Sequence, residues 1–272
     1  KIKIIMNICI IGNGLTSLSL AKNLINKKIK VHIYYENRIT KMLPSRTIGI
    51  SKSNFDFFKK EIQHIPKKKF WKIKKIEINS EKLKSQNLLK FENKKEELFY
   101  MIRNYELYNL LIEKISKNKS FKKIKNDKFY GKLLKEKKYD LIINCISDNY
   151  LSKKYFTKKI DKDYYNRAFT GILKHKKIKN DTAVQTFTKF GPIAFLPISN
   201  VETSVVCSLD TKKKIYTDDD IISLINKNNH KYEIKKISSL GNFNLRLTNL
   251  RSYRHENILA FGDLLHRIHP LA

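Results

Sequence analysis

Two glycines and one carboxylate near the start of the chain have the spacing of a dinucleotide site. An isoleucine-rich apolar run ends at Gly12, Gly14 follows, and apolar residues then recur at helical spacing from Leu15. A second apolar run, 31–35, ends at Glu36. Gly12 permits a sharp turn out of a strand, and Gly14 lets backbone N–H groups approach a pyrophosphate at the positive end of a helix.

Two further residues bear on this strand–turn–helix–strand pattern. Ser17 stands where a third glycine is usual, and its small side chain still allows helix and strand to pack closely. Glu36 lies about 20 residues beyond the turn, where a carboxylate accepts hydrogen bonds from the hydroxyls of an adenosine ribose. The pattern predicts dinucleotide binding without separating NAD from FAD. The alternative is an ordinary tight turn in an α/β domain.

The composition limits the classes of function. The chain has 272 residues, enough for one large or two small domains, and a net charge of +32. Only eight of its 57 basic residues are arginine, whereas nucleic-acid readers usually cluster their charge and use arginine. A solvated lysine surface from a compositionally biased genome is therefore favoured, and nucleic-acid binding is not. Peripheral association with an anionic membrane or a biosynthetic complex stays open.

The cysteines and the apolar runs bear on location. Cys9, Cys145 and Cys207 each lie in an apolar run without metal-ligand spacing, so we expect buried thiols in a reducing compartment and no metal site. No apolar run approaches the ~20 residues of a membrane span, and the N-terminus is not a secretory signal. We expect a cytoplasmic protein, or one peripheral to the inner membrane. The chain begins with Lys and ends inside a motif at Ala272, which indicates a C-terminally truncated fragment.

The remaining apolar patterns indicate two interleaved sheets. Buried runs at 139–146 and 257–261 are typical of parallel strands, whereas alternating strands dominate 167–209. Residues 71–78 and 88–91 also alternate and are predicted to form an antiparallel pair, and 218–228 is predicted to form a helix with an acidic start. The predicted fold class is α/β, a Rossmann-like nucleotide-binding domain interleaved with an antiparallel β-sheet substrate domain. The predicted nucleotide-binding domain comprises 1–69, 98–164 and 246–272, and the predicted sheet domain comprises 70–97 and 165–245.

Three further segments, together with the glycine turn, resemble the FAD-dependent aromatic-ring monooxygenases. The closest branch is the ubiquinone-biosynthesis hydroxylase family, which has the para-hydroxybenzoate hydroxylase fold. The segments are RTIGIS at 46–51, TAVQTFT with GPIAFLP within 182–197, and GDLLHRIHPLA at 262–272. The last is the most specific, because Gly-Asp followed by His-Pro is similar to the second flavin motif of that family. The resemblance covers almost the whole chain and implies FAD as cofactor with NAD(P)H, NADH or NADPH, as reductant.

The resemblance also implies roles for individual residues. Pro270 and His269 would lie at the reacting ring of the flavin as the catalytic positions, and Asp263 would accept hydrogen bonds from the ribityl chain. The cofactor-binding residues implied by the turn and the resemblance together are Gly12, Gly14, Ser17, Glu36, Arg46, Asn104, Asp148, Gly262 and Asp263. Alternatives stay open: Asp263 as a helix N-cap, Arg46 in a surface ion pair, and His266 and His269 as ordinary histidines.

One family motif is altered in this chain. Asp148 matches an acidic residue linked to FAD and NAD(P)H, but Asn149 replaces the glycine that follows it in the family. Asparagine tolerates left-handed backbone better than most residues, so we expect the turn to survive. The altered motif leaves the interaction with the reductant open.

The activity that the resemblance implies is hydroxylation of the aromatic ring of a polyprenylated phenol in ubiquinone biosynthesis, with NAD(P)H and O₂. The substrate would be apolar and aromatic, and Phe187, Phe195 and Leu196 are candidates for its pocket or for plain core. The rival functions are a degenerate or non-catalytic flavin-fold protein, and an NAD(P)-linked oxidoreductase that leaves the Gly262–Asp263 pair unexplained.

Overall fold

The computed structural model describes residues 6–36, 43–82, 87–93, 95–125, 130–135, 138–212 and 214–268. In these ranges lie six α-helices: α1 Leu15–Asn26, α2 Lys52–Phe57, α3 Asn104–Ser116, α4 Tyr130–Lys135, α5 Tyr150–Tyr155 and α6 Asp218–Asn228. The eighteen strands of the described ranges are β1 Asn7–Ile11, β2 Lys30–Tyr35, β3 Thr47–Ser51, β4 Trp71–Ile73, β5 Lys75–Ser80, β6 Leu89–Glu92, β7 Phe99–Arg103, β8 Phe121–Lys125, β9 Leu141–Asn144, β10 Lys159–His175, β11 Thr182–Thr188, β12 Gly191–Pro197, β13 Glu202–Asp210, β14 Ile234–Ile237, β15 Gly241–Leu250, β16 Arg254–His255, β17 Ile258–Ala260 and β18 His266–Arg267.

The isoleucine-rich run β1 forms the centre of a parallel sheet. The described strands follow the order β16-β17-β9-β1-β2-β8, and every neighbouring pair is parallel except β16 with β17. Cys9 and Ile10 have no exposed surface, as expected for a strand covered on both faces. Helices α1 and α3 contribute Leu18, Leu111 and other apolar residues to the core on one face. This sheet therefore brings the ends of β2, β1, β9 and β17 to one edge.

The second sheet is mostly antiparallel. Its described strands follow the order β18-β15-β10-β13-β12-β11-β5-β6, with β14 beside β10, and only the pairing of β5 with β11 is parallel. Helix α6 packs Ile221 and Ile225 against one face of this sheet. The helix begins with a capping box, in which Thr217 and Asp220 bond to each other's backbone N–H. The acidic start predicts this helix correctly.

A small third sheet corrects the prediction of one continuous strand over 71–78. Strand β4 pairs with β7, which also pairs with β3, whereas β5 joins the second sheet. The two strands separate at Lys74, whose N–H donates to the Asp181 carbonyl oxygen at 2.9 Å. The alternation of apolar and charged residues continues through this point, so it carries no signal of the break. The predicted antiparallel pairing of this segment with 88–91 holds for β5 and β6.

The predicted α/β fold class is confirmed, because the parallel sheet and the mostly antiparallel sheet are interleaved along the chain. The division into two domains stays a prediction. Its boundaries at 164/165 and 245/246 fall inside β10 and β15, which both belong to the second sheet. Within the described ranges, no helix has the length and apolarity needed to cross a membrane.

Candidate cofactor site

The turn after β1 requires glycine at its first position. Gly12 has a φ of +116°, which lies in the left-handed region that other residues rarely adopt. A Cβ atom there would lie 3.1 Å from Ser17 Oγ and 3.3 Å from Ile146 Cγ1. The Gly12 N–H donates to the Tyr34 carbonyl oxygen of β2 at 2.8 Å. Glycine at position 12 therefore sets the direction in which the chain leaves the sheet.

The second glycine leaves the start of α1 open. Gly14 is the N-cap residue of α1, no side chain caps the helix, and its first turn contains no acidic residue. A Cβ atom added at Gly14 would meet no other atom within 4 Å. The first N–H groups of a helix lack intrahelical acceptors and carry a partial positive charge. This helix end therefore fits an anionic diphosphate.

Ser17 fills the place of the usual third glycine. Its side chain is buried beside Gly12 and near Cys145, which follows the neighbouring strand β9. Burial raises the pKa of the Cys145 thiol to about 11, the neighbouring Ser17 opposes this shift, and the Asp263 carboxylate adds to it. The thiol is therefore protonated at neutral pH, and it carries no charge into the site.

The distant Gly262–Asp263 pair lies against this same turn. Gly262 has a φ of +65°, and a Cβ atom there would lie only 2.8 Å from Thr16 Cγ2 in the first turn of α1. The Asp263 side chain is 75% exposed, with its Oδ2 atom 3.8 Å from Arg267 Nη2. Asp263 lies inside a short 3₁₀ turn whose N-cap is Phe261, so the helix N-cap alternative is wrong. Two glycine motifs separated by most of the chain meet here.

Glu36 follows β2 at the same edge of the sheet. Strands β1 and β2 are parallel neighbours, so their carboxyl ends bring Glu36 and the glycine turn to one side. Glu36 is half-buried and accepts a hydrogen bond from the Tyr130 hydroxyl. This position suits a carboxylate that binds a ribose beside the diphosphate.

Asn104 and Arg46 lie together at the start of α3. The backbone N–H of Asn104 donates to the Arg46 carbonyl oxygen at 3.0 Å, and the Arg46 guanidinium lies 4.8 Å from the centroid of the Phe243 ring. Within the described ranges, the buried Oδ1 atom of Asn104 has no hydrogen-bond partner. A buried polar atom without a partner costs about 1–3 kcal/mol, so this acceptor fits a donor from a bound ligand. Arg46 forms no ion pair with a described carboxylate, which disfavours that alternative.

The turn containing Asp148 differs from the expectation. Asn149 has a φ of −129°, an extended conformation, so the predicted left-handed backbone is wrong. Its buried side chain instead caps α5 by accepting from the Ser152 N–H at 2.9 Å. Asp148 is exposed, and its Oδ1 atom lies 2.7 Å from Lys153 Nζ. A cofactor role for Asp148 stays a prediction.

The proposed substrate pocket needs one correction. Phe195 is buried in the same cluster as Ile221 of α6, whereas Leu196 packs with Ile73 on the opposite face of the sheet. Successive residues of a strand point to opposite faces, so Phe195 and Leu196 cannot line one pocket. Thr47 Oγ1 donates to Ser204 Oγ at 3.0 Å, which puts β3 on the face opposite α6. That face, which includes Leu196, Phe187 and Phe243, adjoins Arg46.

Several residues of the site were missed from the sequence. Thr16 and Phe243 are recognisable only from the tertiary contacts with Gly262 and Arg46. Asn144 had a signal, since it is a polar residue within an apolar strand; its amide bonds to Asn149 Oδ1 at 3.1 Å and Ser152 Oγ at 2.8 Å. His266 is exposed on β18, consistent with an ordinary histidine. The predicted catalytic positions His269 and Pro270 lie outside the described residues.

Solved structures with the same architecture include several monooxygenases. The p-nitrophenol 4-monooxygenase PnpA from Pseudomonas putida DLL-E4 has a TM-score of 0.75 and 10% identity, over 98% of this chain and 74% of that one. PqsL from Pseudomonas aeruginosa, a probable FAD-dependent monooxygenase, has a TM-score of 0.72 and 11% identity, over 98% and 80%. HpxO from Klebsiella pneumoniae, solved with FAD and uric acid, has a TM-score of 0.72 and 11% identity, over 97% and 74%.

Comparison of the sequence with family models and with curated proteins found no match. The likeness to solved structures therefore rests on architecture, which spans nearly the whole of this chain. The glycine turn, the carboxylate after β2 and the Gly262–Asp263 pair all lie at one edge of the parallel sheet within that shared architecture. The chain has the fold that PnpA, PqsL and HpxO share.

Proposed function

We propose that the protein is an FAD-dependent monooxygenase that uses NAD(P)H and O₂ to hydroxylate an aromatic ring. The observation that carries the proposal is the contact of Gly262 with Thr16 at the uncapped start of α1, beside the Gly12–Gly14 turn. A single glycine turn suits many nucleotides, whereas the Gly262–Asp263 pair against it matches the second flavin motif of the family that the sequence resembles. The fold neighbours add support, since PqsL is a probable FAD-dependent monooxygenase and HpxO was solved with FAD.

The residues of this chain have distinct tasks toward the cofactor. The first N–H groups of α1 would donate hydrogen bonds to the diphosphate, and the Glu36 carboxylate would accept hydrogen bonds from the ribose hydroxyls. Asp263 accepts hydrogen bonds from the ribityl chain, and the unpaired Asn104 Oδ1 accepts one further donor. When bound, FAD would accept the hydride of NAD(P)H and carry out the reaction with oxygen, so the protein needs no nucleophilic triad of its own.

The proposed substrate is a polyprenylated phenol of ubiquinone biosynthesis. Support comes from the sheet face opposite α6, which carries Phe187, Leu196 and Phe243; of these, the centroid of the Phe243 ring lies 4.8 Å from the Arg46 guanidinium. Such a face excludes water and holds the ring close to the cofactor, as hydroxylation requires. Pro270 and His269 are proposed to border the reacting ring. An apolar substrate of this kind favours a cytoplasmic protein that works at the inner membrane.

The first experiment is the absorbance spectrum of the purified protein. We expect flavin bands near ~370 and ~450 nm, and bleaching of the second band when NADH or NADPH is added without oxygen. A protein that binds flavin but is not reduced by either nucleotide would be the non-catalytic alternative. A folded protein that binds NAD(P)H but no flavin would be the NAD(P)-linked alternative.

The second experiment tests the substrate class. A prenylated phenol and the same phenol without its prenyl chain are each incubated with the flavin-loaded protein, NAD(P)H and O₂. We expect one oxygen atom to be added to the prenylated compound, with NAD(P)H consumption matched to product. Equal turnover of both phenols would contradict the prenyl specificity while keeping the hydroxylase assignment.

A further inference from the structure

A lysine-rich surface lies at the end of α1 opposite Gly14. Segments 22–28 and 57–69 together contain eight lysines, one carboxylate residue, Glu61, and no arginine. Their net charge is therefore +7 in 20 residues, against +32 in 272 residues for the whole chain. This density is about three times the average of the chain. The lysine surface consists of Lys22, Lys27, Lys28, Lys59, Lys60, Lys67, Lys68 and Lys69.

Hydrogen bonds hold the two segments together. The Asn26 side-chain amide donates to the carbonyl oxygens of Glu61 at 3.0 Å and Ile62 at 2.8 Å, and the Asn23 amide donates to Glu61 at 3.1 Å. Of the eight lysines only Lys60 lies near a described carboxylate, with its Nζ atom 3.7 Å from Glu61 Oε1. The positive charge of this surface is therefore largely uncompensated within the described ranges.

An exposed aromatic ring lies beside these lysines. Phe55 is 1% exposed and packs its ring 4.9 Å from that of Phe70, which brings the Lys67–Lys69 turn against α2. Phe57 is 56% exposed and precedes Lys60 of the lysine surface by three residues, which is one helical turn. Exposed aromatic residues bordered by lysine are typical of surfaces that enter the boundary between lipid headgroups and acyl chains.

We propose that the lysine surface docks the protein on an anionic phospholipid membrane, with Phe57 entering the headgroup boundary. Charge complementarity favours this partner, since each lysine near an anionic leaflet strengthens binding about fivefold. Nucleic acid fits less well, because both segments lack arginine, the residue that best forms forked contacts with phosphates and bases. The surface lies a full α1 length from Gly14, so docking leaves the cofactor site open. The proposal does not depend on the proposed hydroxylase activity.

The test is co-sedimentation with phosphatidylcholine vesicles, with and without about one-third phosphatidylglycerol. We expect binding to the anionic vesicles alone, weakening as salt is added. Changing Lys67→Gln, Lys68→Gln and Lys69→Gln together should weaken binding on the order of 100-fold. The matched control is Lys176→Gln, Lys177→Gln and Lys179→Gln, which removes the same charge from the loop after β10 and should change binding little.

A second pair of variants tests the aromatic ring. Phe57→Ser should weaken vesicle binding about tenfold, whereas Ile215→Ser, at a position 89% exposed, should not. Equal losses in the two lysine triples would overturn the proposal, because binding would then follow net charge and not this surface. Equal binding to both vesicle types, or retention on duplex DNA without vesicle binding, would overturn it as well.

Discussion

The neighbouring strands β1 and β9 are each followed by a turn and a helix. The two helices differ in whether a side chain accepts hydrogen bonds from their first N–H groups. After β1, the N-cap residue is Gly14, and no side chain caps the twelve-residue helix α1. After β9, the N-cap residue is Asn149, whose side chain caps the six-residue helix α5 and bonds to Asn144 and Ser152. One helix start is free to bind a ligand, and the other is satisfied by the protein's own side chains.

This difference shows that one helix start can serve ligand binding while another in the same fold serves stability. Because its N-cap residue is glycine, the uncapped start of α1 gives up only a few tenths of a kcal/mol that a side-chain cap would provide. In return, its N–H groups can bind an anion. The capped start of α5 gains that stability, and its buried network fixes the end of β9, where Cys145 meets Ser17.

The largest effect is expected at Gly12. Gly12→Ala puts a Cβ atom at a φ of +116° and within 3.1 Å of Ser17 Oγ, so it should lower the free energy of unfolding by ~3 kcal/mol. Urea denaturation measures the change. Ser17→Gly combined with Gly12→Ala should recover the part due to the contact. A Gly12→Ala protein as stable as the original would show that the turn is not fixed in this conformation.

Asn144 should show what the network after β9 contributes. Asn144→Ala removes the acceptor of both the Asn149 side-chain amide and the Ile146 N–H, so it should cost ~2–3 kcal/mol of stability. Asp148→Asn serves as the control, because its exposed ion pair with Lys153 should contribute below ~0.5 kcal/mol. If both substitutions had equal small effects on the urea midpoint, the network would not hold this turn.

A substitution at Glu36 tests whether the site beside the uncapped start of α1 binds FAD. Glu36→Ala should weaken FAD binding by ~1–3 kcal/mol, the scale of a lost hydrogen bond to a charged group. Titration of the apoprotein with FAD, followed by flavin fluorescence, measures the change. Riboflavin, which lacks the adenosine ribose, should bind both proteins equally. An unchanged affinity for FAD would remove Glu36 from the cofactor site.

At neutral pH the smallest effect is expected at Cys145, because its contribution changes only at alkaline pH. Folding raises the pKa of this thiol to about 11 from an ordinary value near 9, chiefly through burial. The folded protein thus holds a proton that the unfolded chain loses, so stability is fully present below pH ~9 and declines between ~9 and ~11. Cys145→Ala should make this decline shallower. Parallel decline in both proteins would assign it to other groups, such as Cys9 and Cys207, whose thiol pKa values burial also raises.

The two turns were not equally predictable from sequence. The path from Gly12 to Glu36 could be predicted because each step is local: an apolar run, a glycine turn, helical spacing and a second apolar run. The conformation of Asn149 could not, because its tolerance of left-handed backbone says nothing of Asn144, the buried partner that holds it extended. The residue type indicated which backbone conformations Asn149 could adopt, whereas its tertiary partner Asn144 determined which one it has.

Contacts between distant segments were the other limit. The Gly262–Asp263 pair was identified by resemblance, but its contact with Thr16 depends on how β17 adds to the sheet beside β9. Likewise, Lys74 separates β4 from β5 only because Asp181 supplies an acceptor from another strand region. Local periodicity predicts elements, whereas sheet order and partners come from the packing of the whole chain.

The central claim is that the uncapped start of α1 binds the diphosphate of FAD, and Gly14→Asn tests it most directly. This substitution gives α1 the same N-cap residue that α5 has. We predict a protein at least as stable as the original by thermal unfolding, since asparagine is a favourable cap, with FAD binding weakened tenfold or more, about 1.4 kcal/mol. A folded Gly14→Asn protein that binds FAD as tightly as the original would contradict the claim.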